Sequence, residues 1–479
     1  MGVPMLSKPR SHAGIALALA ISLTVASAGT VARAEGPALK PYNAAIGDSS
    51  ISGISSGAFM AVQFGFAWSS IIRGVGVVAG GPFYCAQASA ADFINGYTLP
   101  IAHATGPCMT GPPPDLQPMV AKVEAEAAAG ALDPLDNIKR QKIYLFHGYN
   151  DTVVANTVTD AAAEFYRRYL GGTARGNLFY QQTRGAGHSF VVKDRAGRDV
   201  NACAANRSPF IDQCGYDQAG IILQHIYGAL RPGTLGQLEG TIRSFDQNRY
   251  TGRHIADALS MGDEGYVFVP TACEQGAACR VHIALHGCQQ DVGSIGRLFI
   301  EQTGYNTWAD ANRIIVLYPQ AKVSPFLPFN PKGCWDWWSY IDHDDGYVTK
   351  AGLQIAAIKA MLDALTAASG SPPTPPPEQG GVPAELIVTD TSDTAAALAW
   401  TPVAGASSYR VWRAGADEVF RAVAETQGPS YGDHGLAPAT SYMWRVTALV
   451  GGTEGSPSPG ASAATRPAPA RCDAPGTCP

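Results

Sequence analysis

The sequence predicts an α/β domain with a mostly parallel β-sheet, followed by a small β-sandwich. Three observations indicate this architecture. In the longer first part of the chain, apolar runs of strand length alternate with segments of helical periodicity. A proline-rich stretch ends that pattern, and behind it short alternating strands are separated by turn residues. The 479 residues are 46% hydrophobic, which is enough for a large buried core and excludes wholesale disorder.

The charge balance argues against a nucleic-acid partner. Lys and Arg total 34 and Asp and Glu total 39, so the formal net charge is -5. Because no basic excess is available to neutralise phosphates, we expect no nucleic-acid binding.

The N-terminus has the layout of a secretory signal peptide. Lys8 and Arg10 precede the apolar run 13–26, which is short for a membrane span and is followed by small residues. Two A-x-A sites end at Ala28 and Ala34, and we favour cleavage after Ala34 because the chain turns polar there. The alternative is an uncleaved amphipathic anchor. We therefore predict a signal peptide over 1–34, no membrane span, and a secreted or periplasmic protein.

Export determines how the cysteines are interpreted. All ten follow the signal segment, and an even number in an oxidising compartment indicates disulfide bonds. No Cys/His cluster has zinc spacing, so we expect no structural metal. The sequence does not fix the connectivity. Short loops favour the pairs Cys203–Cys214, Cys273–Cys279 and Cys472–Cys478, which leaves Cys85–Cys108 and Cys288–Cys334.

A spacer divides the mature chain. The segment 369–381 reads SGSPPTPPPEQGG, and clustered prolines favour an extended polyproline II conformation that cannot join a packed core. We predict a large domain over 35–368, a small one over 382–466, and a Cys-bounded tail over 467–479.

The small domain alternates in the manner of β-strands, at 384–388, 395–400, 409–412 and 442–446. It resembles a fibronectin type III domain. In that resemblance Trp400 is the early core tryptophan, and Tyr442 closes a tyrosine corner that begins at Leu436.

In the large domain, predicted β-strands alternate with predicted helices. We predict buried parallel strands over 74–78, 142–146, 281–285 and 314–318, and helices over 59–72, 298–312 and 352–365.

The motif Gly53-Ile54-Ser55-Ser56-Gly57 fits the G-x-S-x-G nucleophile elbow, and a credible helix follows it. A second match over 428–432 carries Pro429 and Tyr431 inside the turn, lies in the predicted sandwich, and is not followed by a helix. Ser55 is therefore the candidate nucleophile, rather than Ser430.

A serine nucleophile needs a base and an orienting carboxylate. Asp151 follows the strand 142–146, at the edge where α/β sheets place their sites, although an Asx turn is the alternative use of this residue. His188 lies in a glycine-flanked loop, and its competitors His147 and His286 directly follow predicted strands, where they more readily shape a loop. The order Ser55, Asp151, His188 is that of α/β-hydrolases.

An oxyanion hole needs two backbone N–H groups aimed at the developing charge. The residue after the nucleophile, Ser56, supplies one, and the His286-Gly287-Cys288 loop supplies Cys288 as the other candidate. In the usual α/β-hydrolase order the H-G strand precedes the nucleophile, whereas here it follows the triad. A circular permutation of the fold explains this order.

The segment 333–338 reads GCWDWW, and tryptophans clustered in a loop rich in Gly and Pro suggest partly exposed aromatic area close to the site. Such area suits an apolar polymeric substrate. Core packing of these tryptophans is the alternative.

Together these motifs resemble the catalytic domain of the poly(3-hydroxybutyrate) depolymerases, over about 40–366. The resemblance implies a circularly permuted α/β-hydrolase. It also implies a triad of Ser55, Asp151 and His188, with Trp335 as a residue that contacts the polymer. The matching motifs are Gly53–Gly57 with Ala58-Phe59-Met60, His147-Gly148-x-x-Asp151, Gly187-His188, His286-Gly287-Cys288 and Cys334-Trp335-Asp336-Trp337-Trp338.

The expected function is that of a secreted, monomeric serine esterase. It would cleave poly(3-hydroxybutyrate) or related polyesters through an acyl-enzyme, with no cofactor or metal. An alternative is a feruloyl or acetylxylan esterase acting on plant cell walls. A second alternative is a non-catalytic polymer-binding protein.

Overall fold

A computed structural model describes residues 36–87, 98–194, 199–233, 238–252, 254–325, 328–341, 345–368, 383–403, 405–415, 420–450, 453–455, 457–458 and 460–468. The predicted signal peptide, the spacer and the Cys472–Cys478 pair lie outside these residues. No helix in the described ranges is long and apolar enough to cross a membrane.

The α/β part consists of the following elements. The strands are β1 Ser49–Ile54, β2 Ile72–Val78, β3 Lys142–Gly148, β4 Leu178–Arg184, β5 Phe190–Val192, β6 Asn201–Ala202, β7 Ile211–Gln213, β8 Thr241–Asp246, β9 Glu264–Val269, β10 Arg280–Leu285 and β11 Ile314–Tyr318. The helices are α1 Ser56–Ala67, α2 Thr98–Thr105, α3 Leu116–Ala128, α4 Asn156–Leu170, α5 Ala174–Asn177, α6 Gln218–Tyr227, α7 Thr271–Glu274, α8 Val292–Ile295, α9 Leu298–Gln302, α10 Tyr305–Asn312 and α11 Leu353–Thr366.

The central sheet has eight strands in the order β4-β3-β2-β1-β10-β11-β9-β8. The first six strands run parallel to one another. At the other edge β9 pairs antiparallel with β11, and β8 pairs antiparallel with β9. When the chain is read from β8 to β11 and then from β1 to β4, the H-G strand β10 is third, and β1, which precedes the candidate nucleophile, is fifth. This reading restores the usual α/β-hydrolase sequence of motifs, so the predicted circular permutation is confirmed.

The central strands of the sheet are buried on both faces, as the apolar runs of β3, β10 and β11 predict, whereas the edge strands β4 and β8 are partly exposed. Along β11, Ile315 and Leu317 contribute to the core under α1, α4 and α11, while Val316 and Tyr318 face the core under α6 and α10. This alternation follows from the two-residue period of a strand. The two helical layers hold the sheet rigid, and the loops at its carboxyl edge carry the functional residues.

Two predicted helices differ from those observed. The segment 298–312 forms two helices, because the chain breaks at Gly304, whose φ of 92° lies outside the helical region. The first helix begins at Ser56 and ends at Ala67, and β2 already starts at Ile72. Apolar periodicity located these helices but did not indicate their ends.

A separate β-sandwich follows. Its strands are β12 Ala384–Thr391, β13 Ala395–Thr401, β14 Ala406–Ala414, β15 Arg421–Thr426, β16 Ser430–His434, β17 Ser441–Val450, β18 Thr453–Glu454 and β19 Ala461–Ala464. They form one sheet of β12, β13 and β16 and another around β14 and β17. Trp400 and Trp444 are buried in the core between the sheets, and the Tyr442 hydroxyl accepts from the Ala437 N–H at 2.9 Å. This last bond is the geometry of a tyrosine corner.

Four of the five expected disulfides are formed. They are Cys85–Cys108, Cys203–Cys214, Cys273–Cys279 and Cys288–Cys334.

Candidate active site

Ser55 lies at a sharp turn between β1 and α1. Its φ of 56° and ψ of -124° are strained for a residue with a side chain. A Cβ on Gly53 would lie 2.2 Å from the Gly57 carbonyl oxygen, and one on Gly57 would lie 2.4 Å from the His286 carbonyl oxygen. Both glycines are therefore required by close backbone approach. This strand–turn–helix geometry is the one that the predicted nucleophile elbow requires, and it holds Ser55 at the carboxyl edge of the sheet.

Asp151 and His188 form a hydrogen-bonded pair. His188 Nδ1 lies 2.8 Å from Asp151 Oδ2, while Asp151 Oδ1 accepts from the N–H groups of Val153 and Val154 at 2.8 and 2.9 Å. Both side chains are almost completely buried. Burial by itself would raise the pKa of Asp151, but the His188 charge and these hydrogen bonds hold that pKa below its usual value. An ionised Asp151 fixes the proton of His188 on Nδ1 and leaves Nε2 free to act as a base.

The strand order brings the three residues to one edge. β1, β2, β3 and β4 are parallel neighbours, so the loops that follow them share the carboxyl edge of the sheet. Backbone hydrogen bonds connect these loops, from the Ser55 N–H to Val78 and from the Asn150 N–H to Ala186. Within the described residues, Ser55 Oγ has no hydrogen-bonding partner, so its contact with His188 is not formed in this conformation. Catalytic hydrogen bonds are often long without substrate.

The loop after β10 lies against the elbow. A Cβ on Gly287 would lie 3.2 Å from the Ser55 Cβ. The N–H groups of Ser56 and Cys288 donate to no acceptor in the part of the chain that the structure describes. Among the described residues, two N–H groups without an acceptor thus lie in the turn at Ser55 and in the loop packed against it, and they are the candidate donors of an oxyanion hole.

Several contacts fix the shape of this loop. His286 Nδ1 donates to the Gly287 carbonyl at 2.7 Å and Nε2 accepts from the Ala321 N–H at 3.1 Å. Burial lowers the pKa of His286, so the ring is neutral and shapes the loop, as expected. The Gln290 side chain accepts from the Gly287 N–H at 2.7 Å, and the Cys288–Cys334 disulfide closes the other side.

The expectation of exposed aromatic area is wrong for Trp335 and Trp337. Trp335 is fully buried in the core. Its backbone N–H donates to Ser56 Oγ at 3.2 Å, and its indole Nε1–H donates to the His286 carbonyl at 3.0 Å. Trp337 stacks on Phe59 with ring centroids 4.1 Å apart, and only Trp338 of the three is partly exposed. Trp335 thus joins the elbow to the loop after β10 from inside the protein.

Some residues of the candidate site were not predicted from the sequence. Asn206 and Gln290 bind the backbone of the loops that carry the candidate residues, and no motif indicated them. Val323 and Phe329 are large apolar side chains, 41% and 47% exposed, on the segment between β11 and Cys334. The prolines around this segment were the only available signal that it forms a surface loop.

Comparison with known proteins places the chain among polyester-degrading enzymes. It is 38% identical over 420 residues to the poly(3-hydroxybutyrate) depolymerase of Delftia acidovorans, covering 86% of this chain and 78% of that protein. It is 36% identical over 336 residues to the polyhydroxybutyrate depolymerase of Talaromyces funiculosus, covering 68% of this chain and 91% of that protein. No protein-family model matches the chain.

A solved structure shares the fold. The crystal structure of the PHB depolymerase from Penicillium funiculosum is 34% identical, with a TM-score of 0.60, and covers 69% of this chain and 98% of that chain. A serine-to-alanine form of a PHB depolymerase with the same scores was solved as a complex with an R3HB trimer.

Proposed function

The chain belongs to the poly(3-hydroxybutyrate) depolymerase family, and we propose that it cleaves the ester bonds of this polymer with Ser55, Asp151 and His188. One observation carries the assignment of residues. The Asp151–His188 pair, with 2.8 Å between Oδ2 and Nδ1, lies at the same sheet edge as the Ser55 elbow. The oxyanion donors in this proposal are the N–H groups of Ser56 and Cys288.

The chemistry follows from these positions. His188 Nε2 takes the Ser55 proton while Oγ attacks the ester carbonyl, and the two N–H groups stabilise the oxyanion that forms. The tetrahedral intermediate expels the hydroxyl end of the next unit, which receives the proton from His188. Water, deprotonated by His188, then attacks the acyl-enzyme; the bond to Ser55 Oγ breaks, His188 returns the proton to Oγ, and the product leaves with its new carboxylate. Asp151 stays ionised and stabilises the positively charged imidazole in both steps.

We propose export to the periplasm or outside the cell, with removal of 1–34. The four disulfides support this, because such bonds persist in oxidising compartments. We further propose that 35–368 is the catalytic domain, that 369–381 is a linker, and that 382–466 is a fibronectin type III domain, with a tail over 467–479. The separate core around Trp444 and the tyrosine corner support this division.

A product assay tests the proposal. The protein is incubated with a suspension of poly(3-hydroxybutyrate) and, in parallel, with feruloylated and acetylated xylan. We expect release of 3-hydroxybutyrate or its oligomers, no ferulate or acetate, and loss of the activity in Ser55→Ala. Release of ferulate or acetate alone would assign the chain to plant cell-wall esterases. Binding to the polymer without any ester hydrolysis would make it a binding protein.

A further inference from the structure

The loop that follows β5 returns to the candidate triad. It contains β6 and β7, and the Cys203–Cys214 disulfide joins the residues that directly follow these two strands. The carboxylate of Asp212, which is buried, accepts from the Ala205 N–H at 2.9 Å and holds the turn before Asn206. Asn206, which is half-buried, is thereby presented to the loops that carry Asp151 and His188.

Among the described residues, every hydrogen bond of the Asn206 side chain goes to the backbone of those two loops. Its Oδ1 accepts from the His188 N–H at 2.7 Å and from the Thr152 N–H at 3.0 Å. Its Nδ2 donates to the Asn150 carbonyl at 2.9 Å. The side chain therefore bonds directly before and after Asp151 and at His188 itself.

We infer that Asn206 is a positioning residue for acyl transfer, because it locks the Asp151 loop and the His188 loop in the relative position at which the carboxylate and the imidazole meet. The inference rests on the proposed function of this triad. The two loops leave different strands, β3 and β4, so the Asp151–His188 bond depends on contacts that join them. Asn206 supplies three of these contacts through one rigid amide.

The packing around Asn206 leaves little room for adjustment. A Cβ on Gly187 would lie 3.0 Å from Asn206 Nδ2 and equally close to the backbone of Ala204 and Ala205. The glycine before His188 thus lets this loop approach. Without the Asn206 amide, the N–H groups of Thr152 and His188 and the Asn150 carbonyl would lose a hydrogen-bonding partner. The backbone of His188 would then be less firmly held.

The test compares Asn206→Ala with a matched control, Asn312→Ala. Asn312 is also half-buried, accepts from the Arg231 N–H at 2.9 Å and donates to the carbonyls of Arg231 and Trp308. It precedes β11, at the sheet edge opposite to the candidate triad.

With a soluble trimer of 3-hydroxybutyrate, we expect N206A to lower kcat by about 100-fold with KM unchanged, since displacement of a catalytic group by about 1 Å costs this much. We expect N312A to retain kcat.

A spectroscopic readout separates positioning from general loss of structure. The low-field proton resonance of His188 Nδ1–H reports its bond to Asp151. This resonance should shift or broaden in N206A and stay unchanged in N312A, even if both variants melt at lower temperatures. Asn206→Asp keeps an acceptor for both N–H groups, so its kcat should lie between those of the wild type and N206A.

The experiment distinguishes failure of the inference about Asn206 from failure of the proposed function. A wild-type kcat and an unchanged resonance in N206A would overturn the role of Asn206 while the triad stands. An equal loss of kcat in N206A and N312A would also overturn it, because the effect would then be one of stability. Full activity in Ser55→Ala would instead overturn the proposed function.

Discussion

Two buried carboxyl groups, Asp151 of the candidate triad and Asp212 nearby, have opposite electrostatic environments. Asp151 is surrounded by His188 and two backbone N–H groups, which compensate its burial and keep it charged. Asp212 is buried with less compensation, and burial raises its pKa to about 6. One group therefore orients the base, whereas the other is protonated in mildly acidic solution.

The raised pKa of Asp212 makes the stability of the protein depend on pH. The folded state binds this proton more tightly than the unfolded chain, so the stabilisation is full below the unfolded pKa, near 4, and is lost as the pH rises through about 6. We expect Asp212→Asn to become more stable relative to the wild type between pH 4 and 7, by up to about 3 kcal/mol. Urea unfolding of both proteins across this range measures the difference. A difference that does not change with pH would refute this role of Asp212.

At the scale of elements, the loop after β10 is held from two sides. Gln290, which is buried, accepts from the Gly287 N–H and donates to the carbonyls of Pro209 and Phe210 at 2.9 and 3.0 Å. Phe210 packs edge-on against His188, with ring centroids 6.0 Å apart. The Gln290 amide therefore joins the loop after β10 to the segment whose Phe210 packs against His188.

Replacing Gln290 should impair catalysis more than binding. In Gln290→Ala the Gly287 N–H loses its acceptor and the neighbouring Cys288 N–H can move, so we expect kcat to fall by up to about 100-fold with little change in KM. Gln141→Ala is the control, because Gln141 is buried and donates to the Gly65 carbonyl at the amino end of β3. Steady-state kinetics with a soluble ester should show the loss in Q290A alone. A loss of equal size in Q141A would contradict this explanation.

The segment between β11 and Cys334 presents apolar side chains to solvent. Val323 and Phe329 lie on it, and the Gln289 N–H, next to Cys288, bonds the Lys332 carbonyl at 2.7 Å. The segment that carries these two side chains thus contacts the loop after β10 through its backbone.

If the polymer contacts this segment, a substitution in it should weaken action on the polymer and leave action on a soluble substrate unchanged. Phe329→Ser should raise the half-saturating polymer concentration about fivefold, which corresponds to about 1 kcal/mol of lost apolar contact, and leave hydrolysis of a soluble trimer unchanged. Phe179→Ser is the control, because Phe179 is 40% exposed near the amino end of β4. Turbidity clearing of a polymer suspension measures both variants. An equal effect in F179S, or none in F329S, would show that the segment does not contact the polymer.

For the whole molecule, the sequence predicted the fold class and the permutation because both depend on motif order and strand patterns. The strands β3, β10 and β11 of the parallel sheet are largely apolar, and the H-G motif after Leu285 occurs later than Ser55. The tyrosine corner, a short motif from Leu436 to Tyr442, likewise indicated the sandwich. Such features are local in the chain, and a single sequence displays them.

Other features depend on contacts between distant segments. Trp335 is buried because Ser56 and His286 both bind it, and a tryptophan-rich sequence does not show which face is covered. Asn206 contacts loops on other strands, and an isolated asparagine carries no pattern. The pairing of Asp151 with His188 was predictable only because each follows a strand at the carboxyl edge of one sheet.

The central claim is that Ser55 is the nucleophile activated by His188. Inactivation by phenylmethylsulfonyl fluoride, followed by peptide mass spectrometry, tests it most directly. The account predicts a sulfonyl group on the peptide that contains Ser55, in proportion to the loss of polymer-clearing activity. Complete inhibition with Ser55 unmodified, or with the label on Ser430, would contradict it.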